Sequence, residues 1–121
     1  ERYSTIMGRI SRGYTKEEIA AMADHFAGLK YMSTNQKLDA AKVAAGGDLY
    51  KKNCGKCHDE MGALADDDSG ILASQWLPYL QYYMEDFQAD KRAMPKKMKK
   101  KVEKLSAAEI EALLQFFASQ K

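Results

Sequence analysis

The chain places both of its cysteines in one short stretch, and a histidine follows the second one directly. KKNCGKCHDEMG occupies residues 51–62 and contains Cys54, Cys57 and His58. On a helical turn, positions i, i+3 and i+4 share one face, so both sulfurs and the imidazole point the same way. The C-x-x-C-H pattern is typical of covalent haem c attachment. It predicts that Cys54 and Cys57 form thioethers to one haem and that His58 is its proximal ligand.

Other cysteine chemistries fit this stretch less well. A structural zinc site normally has four ligands, whereas the chain adds only the distant His25 to the two cysteines and His58. A thioredoxin-like redox pair is expected beside a βαβ unit, and the sequence shows no convincing strand. A pair of inert buried cysteines has no need of the adjacent histidine. His25 is interpreted as a surface or packing residue.

A methionine is the expected second axial ligand, because His/Met ligation raises the reduction potential and suits electron transfer. The candidates are Met61, Met84, Met94 and Met98. Met61 is too close to His58 in sequence to cross the haem plane easily, and Met84 falls inside a predicted helix. Met94 and Met98 precede the last predicted helix, where the chain can return to the opposite face of the haem.

The elements that position these residues are predicted to be helices. Apolar residues recur at helical spacing over 15–28 and 106–119, and each stretch begins with a capping box. Further helices are predicted over about 40–56, with a thin middle at Gly46 and Gly47, and over about 75–90. Residues 59–73 and 91–104 are predicted to be loops, the second with some helix.

The two capped helices belong to an internal repeat. MGRISRGYTKEEIAAMADHFA, from Met7, aligns without a gap with MKKKVEKLSAAEIEALLQFFA, from Met98, at an offset of 91 residues. Met98 therefore has a methionine counterpart, whereas Met94 corresponds to Tyr3, which is no sixth ligand. We predict Met98 as the distal ligand and keep Met94 as the alternative. The repeat also predicts the tail of an earlier copy of the domain, whose C-x-x-C-H motif would precede residue 1 or has been lost.

Length and charge bound the remaining classes of function. A chain of 121 residues fits one small domain plus a fragment. The net charge of +2 is too small to imply nucleic-acid binding, and no apolar run approaches a membrane span. A basic run over 91–104 and an acidic patch of Glu60 with Asp66–Asp68 form either solvated faces or docking surfaces.

Several stretches make the chain similar to a known family. GGDLYKKNCGKCH, LASQWLPYLQ and a methionine eight residues before a capped terminal helix resemble class I c-type cytochromes, close to the domains of the di-haem cytochrome c4 group. TIMGRISRGY, ILASQWLPYLQYYMEDF and MPKKM more specifically resemble the cytochrome subunit of flavocytochrome c sulfide dehydrogenase. The resemblance implies an all-α class I cytochrome c fold around one haem in residues 40–121. Residues 1–30 would be a helical remnant of a preceding similar domain, and residues 31–39 a linker.

The resemblance also implies partners and a compartment. The chain would be a non-catalytic subunit of a periplasmic heterodimer, in which an FAD-containing flavoprotein subunit oxidises sulfide. It would take electrons from that subunit and pass them to a soluble acceptor. FAD would lie only in the partner.

Further residues match the family by position. Trp76, Pro78, Tyr79 and Tyr83 match the aromatic helix beside the haem, where core packing is expected rather than an electron relay. Gly46 and Phe116 match the contact between the first and last helices. Gly70 stands where many class I cytochromes have a proline whose carbonyl orients the proximal histidine, and its own carbonyl is able to accept that bond.

Two other functions stay open on the residues alone. One is a free single-haem periplasmic c-type electron carrier without a permanent partner. The other is a haem sensor or enzyme with an open sixth position, which requires Met98 to be off the iron.

Overall fold

The regular structure of the protein is helical throughout the residues that the computed structural model describes, which are 5–65 and 69–121. The all-α prediction is therefore confirmed. Two short 3-10 turns, Ser11–Gly13 and Glu60–Gly62, accompany the α-helices. The α-helices are α1 (Ile6–Ile10), α2 (Lys16–Ala27), α3 (Ala40–Asn53), α4 (Leu77–Gln88), α5 (Lys96–Val102) and α6 (Ala107–Ser119).

The chain divides into two compact units, Glu1–Met32 and Ser33–Lys121. The first contains α1 and α2. Thr15 caps α2 through the predicted capping box, in which its hydroxyl accepts the backbone N–H of Glu18 and its own N–H donates to the Glu18 carboxylate. No residue of α2 is buried, and Phe26 at the end of its apolar stripe is 68 % exposed. Helix α2 is therefore formed by local capping without a buried face.

The core of the second unit is built around α6. Ser106 caps this helix with the same type of box, and the residues 112–118 are all buried. Helix α3 crosses α6 at Gly46, where an added Cβ would lie 2.1 Å from the carbonyl oxygen of Ala112 and 2.7 Å from the Cβ of Phe116. Only a glycine permits this approach. The predicted close contact between Gly46 and Phe116 is confirmed.

Helix α4 covers another part of α6. Leu80 is buried in the core, and Leu77 and Met84 pack at its edge. The helix has Pro78 in its first turn, as predicted, where the missing N–H leaves no intrahelical bond unmade. Met84 is thus core filling in the described structure.

Three helical segments differ from the sequence-based expectation. Helix α3 ends at Asn53 rather than near residue 56, because the N–H groups of Cys54 and Gly55 both bond to the Tyr50 carbonyl and close the helix. Helix α1 was not predicted, and α5 replaces most of a predicted loop. Lysines have high helix propensity, and Pro95 is the N-cap of α5, a position whose own N–H makes no intrahelical bond.

Part of the predicted linker is hydrogen-bonded within the second unit. Thr34 donates its hydroxyl to the carbonyl of Ser74, at 2.6 Å, and its N–H to the Ser74 hydroxyl, at 2.7 Å. The Gln36 side chain accepts the N–H of Leu77 at 2.8 Å. Asp39 caps α3 through the N–H groups of Ala41 and Lys42. The bonds of Thr34 and Gln36 hold the segment against the start of α4.

Candidate functional site

The predicted haem-binding motif forms one turn directly after α3. The N–H groups of Cys57 and His58 donate to the Cys54 carbonyl at 3.1 and 3.0 Å. Both thiols are free, with Cys54 half-buried and Cys57 exposed. The motif therefore keeps the i, i+3, i+4 geometry expected of it, although it lies after the end of α3 rather than within it.

Burial controls the chemistry of the Cys54 thiol. Removal from water raises its pKa, the ammonium of Lys101 lowers it, and the neighbouring Cys57 raises it. Burial is the largest of these effects, so the thiol stays protonated at neutral pH.

The His58 imidazole is half-buried beside Phe117, with ring centroids 6.1 Å apart. Burial lowers the pKa of His58, because desolvation disfavours the imidazolium. Its Nδ1 is buried and has no hydrogen-bond partner among the described residues. The bond to the Gly70 carbonyl that the family position allowed is therefore not formed, and a Cβ at Gly70 would meet no atom within 4 Å.

These donors fit a haem c. The two free thiols lie on one turn with a histidine kept neutral, which is the form that binds metals. Within the described ranges, no three His, Cys, Asp or Glu side chains gather as a structural zinc site would need.

The two candidate distal methionines lie on different elements. Met98 is half-buried in the middle of α5, and Met94 is half-buried in the segment before it. Met98 was predicted to lie in a loop, so its backbone is more regular than expected. Met61, which the sequence disfavoured, is 49 % exposed.

The aromatic residues of α4 lie on a different side of the helix from its core residues. Tyr79 and Tyr83 are in ring contact at 5.0 Å, and the Arg92 guanidinium lies 3.7 Å from the centre of the Tyr83 ring and hydrogen-bonds its hydroxyl. Trp76 is 58 % exposed and Tyr79 is also exposed. The expectation of plain core packing was wrong for Trp76 and Tyr79, since Leu77, Leu80 and Met84 supply the face that meets α6.

Helix α5 is strongly basic. Its sequence KKMKKKV surrounds Met98 with lysines and contains no acidic residue. Lys99 forms an ion pair with Asp90 at 3.1 Å, and Lys91 forms one with Asp86 at 3.9 Å. Of the predicted acidic patch, Asp66–Asp68 lie outside the described residues, and Glu60 is exposed.

Sequence reasoning missed one residue that contacts this site. The Tyr50 hydroxyl donates to the carbonyl of His58 at 2.7 Å and accepts the N–H of Met61 at 2.9 Å. Its spacing gave a partial signal, because Tyr50 stands four residues before Cys54 and hence one helical turn away.

A family comparison agrees with this geometry. Residues 41–117 match the family model described as cytochrome C oxidase, cbb3-type, subunit III. The match spans the cysteine turn and the helices that carry it. No curated protein matches the chain. No helix among the described residues is long and apolar enough to cross a membrane.

A cytochrome c domain implies covalent haem c and haem-based electron transfer. The chain therefore belongs to the family of c-type cytochrome domains represented by subunit III of cbb3-type cytochrome c oxidase.

Proposed function

We propose that Cys54 and Cys57 attach one haem c, that His58 is its proximal ligand and that Met98 is its distal ligand. The observation that carries this proposal is the turn that presents two free thiols and a neutral imidazole in sequence. When bound, the haem supplies an iron that accepts and releases one electron. The two thiols provide the S–H groups that add to vinyl groups, and the imidazole provides a nitrogen lone pair.

Two protein ligands favour electron transfer over catalysis. With His58 and Met98 both engaged, no position remains for a substrate, and His/Met ligation raises the reduction potential. Covalent attachment and packing of the turn against α6 limit movement between oxidation states. We accordingly assign the chain no catalytic site of its own.

The partner that we propose is an FAD-containing flavoprotein subunit that oxidises sulfide in the periplasm. The chain would be the haem c subunit of this flavocytochrome c sulfide dehydrogenase and would pass electrons to a soluble acceptor. The support is the resemblance of residues 5–14, 71–87 and 94–98 to that subunit.

The basic surface of α5 suits docking of a negatively charged redox protein. Lysines flank Met98 on both sides, and the Lys101 ammonium lowers the pKa of the Cys54 thiol against the larger effect of burial. Charge complementarity of this kind raises association rates and falls with ionic strength. The surface supports transfer to an acidic acceptor through the same side of the domain that carries Met98.

We further propose that residues 1–30 are the tail of a preceding cytochrome-like domain. Helices α1 and α2 repeat the positions of α5 and α6 at an offset of 91 residues, and both second helices begin with a capping box. The apolar stripe of α6 is buried, whereas that of α2 is exposed. A helix with this pattern is expected to bury it against further elements.

A second candidate is an electron-transfer subunit of a terminal oxidase. The matching family model is named for such a subunit. Purification of the native complex distinguishes the candidates. A flavin-bearing partner supports the sulfide dehydrogenase, a copper- and haem-bearing oxidase supports the second candidate, and a lone haem-bearing chain indicates a free carrier.

The internal repeat supplies a matched control for testing Met98 as the distal ligand. We expect Met98→Ala to abolish the methionine–iron charge-transfer band of the oxidised protein, because the sulfur ligand is lost. Met7→Ala is the matched control, since Met7 occupies the equivalent position in the first unit, and it should leave the band intact. Visible absorption spectra of both variants measure this. An intact band in Met98→Ala, together with loss in Met94→Ala, would move the assignment to Met94.

A further inference from the structure

Tyr50 lies in α3 with its ring held on several sides. The ring stacks on Phe116 at 5.1 Å and meets the edge of Phe117 at 5.8 Å. A Cβ on Gly55 would lie 3.1 Å from the Tyr50 ring, so the residue between the two cysteines is in close contact with it. These contacts fix the direction in which the hydroxyl points.

The hydroxyl joins the two ends of a strained segment. It donates to the His58 carbonyl at 2.7 Å and accepts the Met61 N–H at 2.9 Å. Between and after these atoms the chain is left-handed, with φ of 49° at Glu60, 59° at Met61 and 84° at Gly62. This conformation is free of strain for glycine but costs free energy at the two side-chain-bearing residues. Such strain persists only where surrounding contacts hold it.

The other end of this segment is fixed as well. The Gly62 carbonyl accepts the N–H groups of Leu72 and Ala73 at 2.8 and 3.0 Å. A Cβ at Gly62 would lie 2.9 Å from the Phe117 ring, so this residue is wedged against α6. The strained turn is thus clamped between Gly62 and the Tyr50 hydroxyl.

The backbone N–H and the backbone carbonyl of His58 are both hydrogen-bonded. Its N–H donates to Cys54, and its carbonyl accepts from Tyr50. Within the part of the chain that the structure describes, its Nδ1 has no partner, so no hydrogen bond at that nitrogen orients the ring. Orientation of the imidazole then depends on the position of its backbone and on the Phe117 ring beside it.

We propose that Tyr50 is a positioning residue for the proximal ligand, and that its hydroxyl holds the His58 backbone and the left-handed turn that follows, thereby fixing the imidazole at the iron. This inference rests on the proposed role of His58. In many metal sites a hydrogen bond to the ligand ring performs this task. Here the hydroxyl acts on the ligand's main chain.

The test uses Tyr50→Phe in the haem-loaded full chain. This change keeps the aromatic contacts and removes both hydrogen bonds. We expect a shift in reduction potential and in the hyperfine-shifted NMR signals of the His58 ring. We also expect hydrogen exchange of the Met61 amide to become at least about tenfold faster, because the hydroxyl that accepts its N–H is lost. Tyr82→Phe, at an exposed position of α4, is the matched control and should change none of these quantities.

A second variant separates strain from packing. In the Tyr50→Phe background, Met61→Gly relieves the left-handed strain and should return the potential part of the way to the wild-type value. An unchanged potential in Tyr50→Phe, or a shift that Met61→Gly leaves untouched, would overturn the inference. Failure of the proposed function is distinct, because it would already appear in the wild-type protein as a spectrum without histidine and methionine ligation.

Discussion

Helices α2 and α6 have closely similar local sequences and opposite surroundings. Each begins with a complete capping box, at Thr15 and at Ser106, and each carries an apolar stripe. Phe117 at the end of the α6 stripe is 5 % exposed, whereas the equivalent Phe26 in α2 is 68 % exposed. The difference shows that capping and apolar spacing specify a helix but do not bury it.

Helix α6 is buried by the helices that pack against it. Gly46 lets α3 approach the backbone of α6, and Leu80 brings α4 against it. The same α3 ends in the cysteine turn, so the contact that buries α6 also positions the proposed haem ligands. The first unit contains no helix equivalent to α3 or α4 within residues 5–32.

The largest loss of stability is expected from a substitution that prevents α3 from approaching α6. Gly46→Ala should cost more than about 4 kcal/mol of unfolding free energy or prevent folding, because its Cβ meets main-chain atoms that cannot move aside. Gly13→Ala in the first unit meets no atom within 4 Å and is the matched control. Denaturant unfolding followed by circular dichroism measures both. Equal stability of the two variants would show that the helix crossing is wrong.

Truncation of the two equivalent phenylalanines should lower the unfolding free energy by different amounts in the two units. Phe117→Ala should lower the unfolding free energy by about 3 to 4 kcal/mol, through lost burial and a cavity next to His58 and Tyr50. Phe26→Ala should change it by less than about 0.5 kcal/mol, since an exposed side chain loses little. The same denaturant experiment applies. A comparable loss in Phe26→Ala would mean that α2 is covered in solution, as expected when a preceding domain is present.

The smallest expected effect concerns the caps. Ser106→Ala removes a hydroxyl that accepts the Glu109 N–H, and should lower the global unfolding free energy by about 1 kcal/mol. Thr15→Ala removes the same type of bond from a helix without a buried face. It should reduce local protection of the α2 amides without changing the global transition. Amide hydrogen exchange separates the two outcomes, and an equal global loss in both variants would contradict the difference between the units.

The features predictable from the sequence are those with local causes. The capping boxes, the apolar stripes and the thin position at Gly46 each depend on neighbouring residue types, and the structure contains all of them. The family match agrees with the class of cofactor that the C-x-x-C-H spacing indicated. Helix α1 was missed and α5 underestimated, because short helices lack the long periodic stretch on which recognition depends.

The features that escaped prediction depend on contacts between distant parts of the chain. The hydrogen bonds of Thr34 to Ser74 join residues 40 positions apart. The Tyr50 hydroxyl reaches across the motif to Met61, which no spacing rule anticipates. The exposure of Trp76 likewise follows from which face of α4 meets α6, and not from the apolar character of the residue.

Cys54 and Cys57 are proposed to hold the haem covalently. Intact mass spectrometry under denaturing conditions is the direct test of this attachment. The wild-type chain should carry the mass of one haem after unfolding. The Cys54→Ala/Cys57→Ala double variant should lose it completely, because no thioether can form. Haem that stays bound to the double variant after denaturation, or a wild-type chain that releases its haem, would contradict the account.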